Sequence, residues 1–228
     1  MQHLLLLHGA LGSKDQFNSI AEKLKNDFIV HRFNLTAHGG NAISDKTLSI
    51  ELFAEDVLNY MQAQNIEQAN IFGYSMGGYA VMYIAKHHPQ KLNKLITLAT
   101  KFYWDETIAA KEIKMLDAAT IELKVPAFAQ QLAKRHAPAD WKLLLQKTAE
   151  MMNDLGKNNT LKQQDYTSIT TPLLIMIGDR DKMVTLDETV TVYKNLQNAQ
   201  MCVLPGTSHP FEQVNTELLA YMISKFLL

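Results

Sequence analysis

The chain has 228 residues, 47% of them hydrophobic, and carries 22 basic against 23 acidic side chains. A chain of this size can bury most of its apolar surface in one continuous core, so one domain is the default expectation. The balanced charge, without basic runs interleaved with aromatics, removes the electrostatic reason to expect nucleic acid or an anionic membrane as partner. A small-molecule substrate is the expected partner, and nothing in the sequence bears on oligomeric state.

From the start, Leu4–Leu7 forms a tight aliphatic run that ends at His8-Gly9. It is too short for a signal peptide or a membrane span, so cytoplasmic residence is expected. The run begins a series of short apolar strands: Leu4–Leu7, Phe28–Phe33, Ala69–Phe72, Lys94–Ala99, Leu173–Ile177 and Met201–Leu204. Apolar spacing between them predicts helices over Phe17–Leu24, Ile50–Met61, Met76–His88 (closed by Pro89), Leu186–Leu196 and Glu212–Phe226. Such alternation implies an α/β chain with a mostly parallel sheet covered by helices. From about Lys101 to Thr171 it stops, and helical patterns follow one another: Asp105–Ala118, Val125–His136 begun by Pro126, and Asp140–Leu155 with Asp140 as N-cap and Gly156 as the stop. This stretch reads as an inserted helical cap with a polar return linker, Lys157–Thr171. The expected division is 1–100 and 172–228 as core and 101–171 as cap and linker.

Chemistry is concentrated at the strand exits. Gly73-Tyr74-Ser75-Met76-Gly77 places a serine on a sharp strand-to-helix turn, a nucleophile elbow. The helix starting there aims backbone N–H groups at whatever Ser75 attacks. A second oxyanion donor is expected from the Gly-rich first exit, His8-Gly9-Ala10-Leu11-Gly12-Ser13, which makes Ala10 and Met76 the candidate oxyanion hole. A serine needs a base. Of eight histidines, His209 in Pro205-Gly206-Thr207-Ser208-His209-Pro210 is best placed, after the last strand. His8 and His38, each before a glycine, are expected to bond loop backbone, and His3, His31, His87, His88 and His136 to be structural or exposed. The turn Gly178-Asp179-Arg180-Asp181 offers either carboxylate as the acid that orients the base. The sole cysteine, Cys202, is expected to be a buried thiol without a role. No cluster has metal-ligand spacing, and no cofactor is expected.

Together, Leu-Leu-His-Gly ending at Gly9, Gly-Tyr-Ser-Met-Gly, Gly-Asp-Arg-Asp and Gly-Thr-Ser-His, in that order, resemble the α/β-hydrolase family over nearly the whole chain. The resemblance implies Ser75 as nucleophile, His209 as base, Asp181 as acid, with Asp179 the minor candidate, and the N–H groups of Ala10 and Met76 as oxyanion hole. It implies about six strands, without the family's first two. Asn34, ahead of Thr36-Ala37-His38-Gly39, stands where members often carry an acid. A third candidate acid, Asp105 or Glu106 after Trp104, is expected instead to complement a helix N-terminus.

The implied function is serine hydrolysis of an ester, thioester or related acyl bond of a small, partly apolar substrate. One alternative is a lyase of the menaquinone-pathway type, or a carbon–carbon hydrolase. That synthase normally carries an arginine after the elbow glycines, where Tyr79 stands here. Another is a ligand-binding module on the same scaffold. Of the apolar residues Phe102, Tyr103, Trp104, Met115, Leu116, Phe128 and Leu132, most are expected to pack the cap rather than line a pocket.

Overall fold

The computed structural model describes all residues from 1 to 228. In chain order the elements are β1 (Gln2–Leu7), α1 (Asn18–Leu24), β2 (Phe28–Arg32), α2 (Ile50–Ala63), β3 (Ala69–Tyr74), α3 (Met76–His87) and β4 (Leu92–Leu98). Five helices follow: α4 (Glu106–Ile113), α5 (Ala118–Lys124), α6 (Pro126–His136), α7 (Trp141–Lys157) and the short α8 (Gln163–Tyr166). The chain then closes with β5 (Leu173–Gly178), α9 (Leu186–Asn195), β6 (Ala199–Leu204) and α10 (Thr216–Leu227). No helix is long and apolar enough to cross a membrane.

The six strands form one sheet in the order β2-β1-β3-β4-β5-β6, and every neighbouring pair is parallel. Parallel strands need both faces covered, which explains why Leu4, Leu5, Leu6 and Leu7 can all be completely buried. Side-chain alternation divides them. Leu5 and Leu7 join the core under α2 and α3, whereas Leu4 and Leu6 join the core under α1 and α10. Each fully buried leucine contributes roughly 1.5–3 kcal/mol.

The order reverses between β1 and β3. The chain leaves β1 towards α1, on one face, and leaves β3 into α3, on the other. A crevice therefore opens at the C-terminal ends of these two strands, the place where open parallel sheets bind ligands.

Several boundaries differ from the sequence expectation. Asp105–Ala118 is not one helix: Asp117 turns its carboxylate onto Thr120 N at 2.8 Å and starts α5 afresh, an N-cap winning over helix continuation. The last helix begins at Thr216 rather than Glu212, with Asn215 accepting from Leu218 N as its cap. Asp140 caps α7 as expected, but Gly156 does not stop it; the helix runs on to Lys157. Gly156 answers to packing instead, since a Cβ there would sit 2.7 Å from Ala109 Cβ and 3.0 Å from Asp105 O. Cys202 is half-buried rather than buried, enough for burial to push its thiol up.

Gly156→Ala should therefore force α4 and α7 apart and cost about 1–3 kcal/mol, read as a lowered urea midpoint. An unchanged midpoint would mean that the two helices are not held at this separation.

Candidate active site

Ser75 sits immediately beyond β3 with φ 51° and ψ −118°, a conformation that L-residues occupy only under constraint. The neighbours supply the constraint. A Cβ at Gly73 would lie 2.5 Å from Gly78 Cα, and one at Gly77 would lie 2.6 Å from His8 O. Only glycines let α3 begin this close to β1 and β3. Ser75 N donates to Leu98 O at 2.8 Å, and Ser75 O accepts from Thr100 Oγ1 at 3.2 Å.

The turn aims Ser75 Oγ at His209 Nε2, 3.3 Å away. His209 Nδ1 lies 2.8 Å from Asp181 Oδ2. Asp181 is held in turn: its Oδ1 accepts from Met183 N at 2.8 Å and Val184 N at 2.9 Å, and its side chain is 1% exposed. Burial alone would raise this carboxyl, but the hydrogen bond and charge of His209, with the Val184 and Met183 N–H groups, hold it below the usual carboxylate value. Asp179 faces elsewhere, accepting from Thr207 N at 3.1 Å. Asp105 caps α4 by accepting from Ile108 N at 2.7 Å. The Gly178-Asp179-Arg180-Asp181 turn thus divides its carboxylates between loop structure and His209. The imidazole is further placed by Tyr74, whose hydroxyl donates to His209 O at 2.6 Å.

Ala10 and Met76 both line the same cavity as Ser75 and His209. Met76 N, at the first position of α3, has no intrahelical acceptor, and Ala10 N donates to no backbone carbonyl. The Gly9–Ala10 peptide is pinned from its other side. Gly9 O accepts from His8 Nδ1 at 2.9 Å and from Gly12 N at 3.1 Å. A planar trans peptide fixed at its oxygen is also fixed at its N–H, so the direction of Ala10 N–H follows from His8.

That histidine belongs to a buried group. His8, His38 and His136 are all fully buried, with ring centroids 5.1 Å apart for His8–His38 and 5.9 Å for His38–His136. His8 Nε2 accepts from Leu35 N at 3.2 Å, and His38 Nδ1 donates to Thr36 O at 2.8 Å. His136 Nδ1 accepts from Gly39 N at 3.0 Å, leaving Nε2–H to donate to Leu11 O at 3.1 Å. The same Leu11 carbonyl takes Arg135 Nη1 at 2.9 Å, and Leu11 has φ 58°. The C-terminal end of α6 therefore grips the loop that carries Ala10. Asn34 serves structure as well, accepting from Lys14 N and donating to Gly39 O. Burial pushes His8 and His136 down to about 4, and His38 well below its ordinary value.

The cavity above Ser75 measures about 310 Å³ and is mostly apolar. Trp104, Met115, Leu116 and Phe128 line it, which corrects the expectation that most such residues pack internally. Phe102 and Leu132 are buried, and Tyr103 is exposed. The sequence reading missed Met151, Met152 and Leu155 of α7, together with Lys101, Glu112 and Arg135. Only the apolar periodicity of α7 signalled any of them. Tyr79 also lines the cavity, with its hydroxyl donating to Asn159 Oδ1 at 2.6 Å and accepting from Leu161 N at 3.0 Å. No three His, Cys, Asp or Glu side chains converge to hold a metal ion.

A family model described as alpha/beta hydrolase fold matches residues 2–153. Esterase YbfF of Escherichia coli (strain K12) is 30% identical over 95 residues, which are 42% of this chain and 37% of that protein. The chain thus spans about a third of the length of the first curated relatives it matches. The pimeloyl-[acyl-carrier protein] methyl ester esterase of Vibrio parahaemolyticus is 27% identical over 240 residues, covering 95% of this chain and 91% of the relative. A putative lipase from Acinetobacter baumannii superposes with a TM-score of 0.83 at 21% identity, covering 99% of this chain and 83% of that one. At that identity the likeness concerns the fold.

The histidine group carries a pH signature. All three are neutral in the fold and bind protons more readily once unfolded. Their contribution is present above the unfolded value of about 6.5 and is lost as pH falls through the lowered folded values, about 4 for His8 and His136, at up to about 1.4 kcal/mol per pH unit for each group. The urea midpoint should fall between about pH 6.5 and 5, and less steeply in His136→Gln. A flat wild-type profile would show that the cluster is not held neutral.

Proposed function

The chain belongs to the alpha/beta hydrolase fold family, and on that premise we propose that it hydrolyses an ester, thioester or related acyl bond of a small, partly apolar substrate through an acyl-enzyme on Ser75. The observation that carries this reading is the unbroken path from Ser75 Oγ through His209 to Asp181, at 3.3 Å and 2.8 Å, opening into an apolar cavity beside the N–H groups of Ala10 and Met76.

In this reading Ser75 Oγ attacks the acyl carbonyl as His209 Nε2 takes its proton, and the imidazolium is stabilised by Asp181. The oxygen that gains negative charge lies against Ala10 and Met76 N–H, donors already oriented before reaction, so little reorganisation is needed as charge develops. The acyl–oxygen or acyl–sulfur bond breaks, and His209 returns the proton to the leaving group. Water then attacks the acyl-enzyme by the same path and restores Ser75. Residues 101–171 act as a cap that excludes bulk water and shapes the substrate, over a core of residues 1–100 and 172–228. A lyase that grips an anionic substrate beside the elbow is less well supported, because the Tyr79 hydroxyl is committed to Asn159 and Leu161.

A fluorophosphonate probe should label wild-type protein at Ser75 and leave Ser75→Ala unlabelled. The same substitution should lower p-nitrophenyl ester turnover by at least about 10⁴-fold, with circular dichroism unchanged. A folded wild-type protein that takes no label would favour a binding role, and activity surviving in Ser75→Ala would remove the nucleophile. Asp181→Asn should lower kcat by about 10⁴-fold through loss of tautomer control, whereas Asp179→Asn should stay within about twofold. Equal small effects would take Asp181 out of the mechanism.

A further inference from the structure

Five buried side-chain polar atoms have no hydrogen-bond partner: His38 Nε2, Asn70 Oδ1, Thr97 Oγ1, Trp104 Nε1 and Glu112 Oε2. Of their residues, only Trp104 and Glu112 line the cavity above Ser75. Buried polar groups are nearly always satisfied, and an unmet one calls for a physical reason. Here a donor and an acceptor are unmet in the same wall, gathered about one cation. Lys101 Nζ lies 3.6 Å from Glu112 Oε1 and 5.8 Å from the Trp104 ring centroid, and it donates to Met183 O. The Glu112 side chain is 2% exposed and that of Lys101 12%. By contrast, the other charged residues of the cavity wall, Arg135 and Glu212, are committed to each other: Arg135 Nη2 donates to Glu212 Oε1 at 2.9 Å, and the same oxygen accepts from Gln16 Nε2 at 2.9 Å.

We propose that the cavity contains a polar subsite, formed by Lys101, Trp104 and Glu112, which takes an uncharged hydrogen-bonding group of the substrate, a hydroxyl or a carboxamide. The inference rests on the acyl-transfer reading above and names the substrate class for it. Both atoms are closed off from the open cavity in this structure, so the group is admitted by rotation of the Trp104 and Glu112 side chains; Glu112 Oε2 then meets a donor and Trp104 Nε1–H an acceptor, and a hydroxyl or carboxamide has both capacities. A charged group is disfavoured because Lys101 and Glu112 already neutralise each other. An added cation would lie beside the Lys101 ammonium and an added anion beside the Glu112 carboxylate, each losing its hydration without a free counter-charge. A plain alkyl chain leaves both atoms unmet. Glu112, Lys101 and Met183 also border a second cavity of about 440 Å³, so the subsite stands between two spaces rather than at a blind end.

The test is a matched panel of p-nitrophenyl esters: hexanoyl and octanoyl, their ω-hydroxy and ω-carboxamide forms, and ω-carboxylate and ω-ammonium controls. Acetates of hexanol and 1,6-hexanediol report on the alcohol arm. In one arm the neutral polar form should exceed its alkyl counterpart in kcat/KM by about tenfold or more, with both charged forms below it. Lys101→Met/Glu112→Met replaces the pair by side chains of similar length, a change that buried ion pairs often tolerate, and should bring the ratio to within about twofold of unity. Wild-type protein that treats polar and alkyl forms alike, or prefers the alkyl or a charged form, overturns the subsite, as does a double variant that keeps the preference. If hexanoyl ester is turned over through Ser75 while no preference appears, the subsite alone fails. If no ester in the panel is turned over, the subsite is overturned as stated, and the hydrolase reading fails with it where the fluorophosphonate probe also leaves Ser75 unlabelled.

Discussion

A parallel sheet whose strand order turns back on itself must send two adjacent strand exits to opposite faces, and this chain does so at β1 and β3. The exits carry the His8–Ser13 loop and the Ser75 elbow, and they cannot close over each other because their following helices belong to different layers. The crevice is therefore a topological consequence rather than a carved pocket. What the local sequence adds is closeness. Gly73 and Gly77 let α3 begin against β1, and that contact places Met76 N–H and Ala10 N–H at one wall. The remaining groups arrive from β5 and β6, whose loops deliver Asp181 and His209 to the same edge.

Rigidity around Ser75 comes from polar groups that the chemistry does not consume. Gly9 O and Leu11 O each accept two donors, from His8 and Gly12 on one and from Arg135 and His136 on the other. Tyr74 holds the His209 backbone, and Phe211 packs edge-on against Tyr74 and Phe17. Each bond is modest alone, but fully satisfied buried networks fix one arrangement because any alternative leaves a donor or acceptor without a partner.

Legibility in the sequence followed the range of the interaction. The strands were readable because parallel strands are buried on both faces and so appear as unbroken aliphatic runs such as Leu4–Leu7 and Leu173–Ile177. The elbow was readable because its backbone strain needs glycines at fixed offsets from Ser75. Local capping was partly readable: Asp140 stood out, whereas Asp117 and Asn215 were passed over inside longer apolar patterns. Gly156 was misread because a glycine near a helix end has the same appearance whether it terminates the helix or admits a neighbour. The choice between Asp179 and Asp181 needed the loop's three-dimensional path. Lys101, Glu112 and the Arg135–His136 pair gave no local signal, since their meaning depends on where α4 and α6 come to lie.

The double hold on Leu11 O has a mechanical side. Arg135 and His136 end the helix that also carries Phe128, a residue of the cavity wall, so α6 is at once part of the enclosure and part of the support of the loop that carries Ala10. A shift of α6 large enough to widen the cavity stretches both bonds to Leu11 and releases a residue held at positive φ. For the proposed reaction, room above Ser75 and a fixed Ala10 N–H are then opposed demands on one helix, since whatever loosens the wall also loosens the loop.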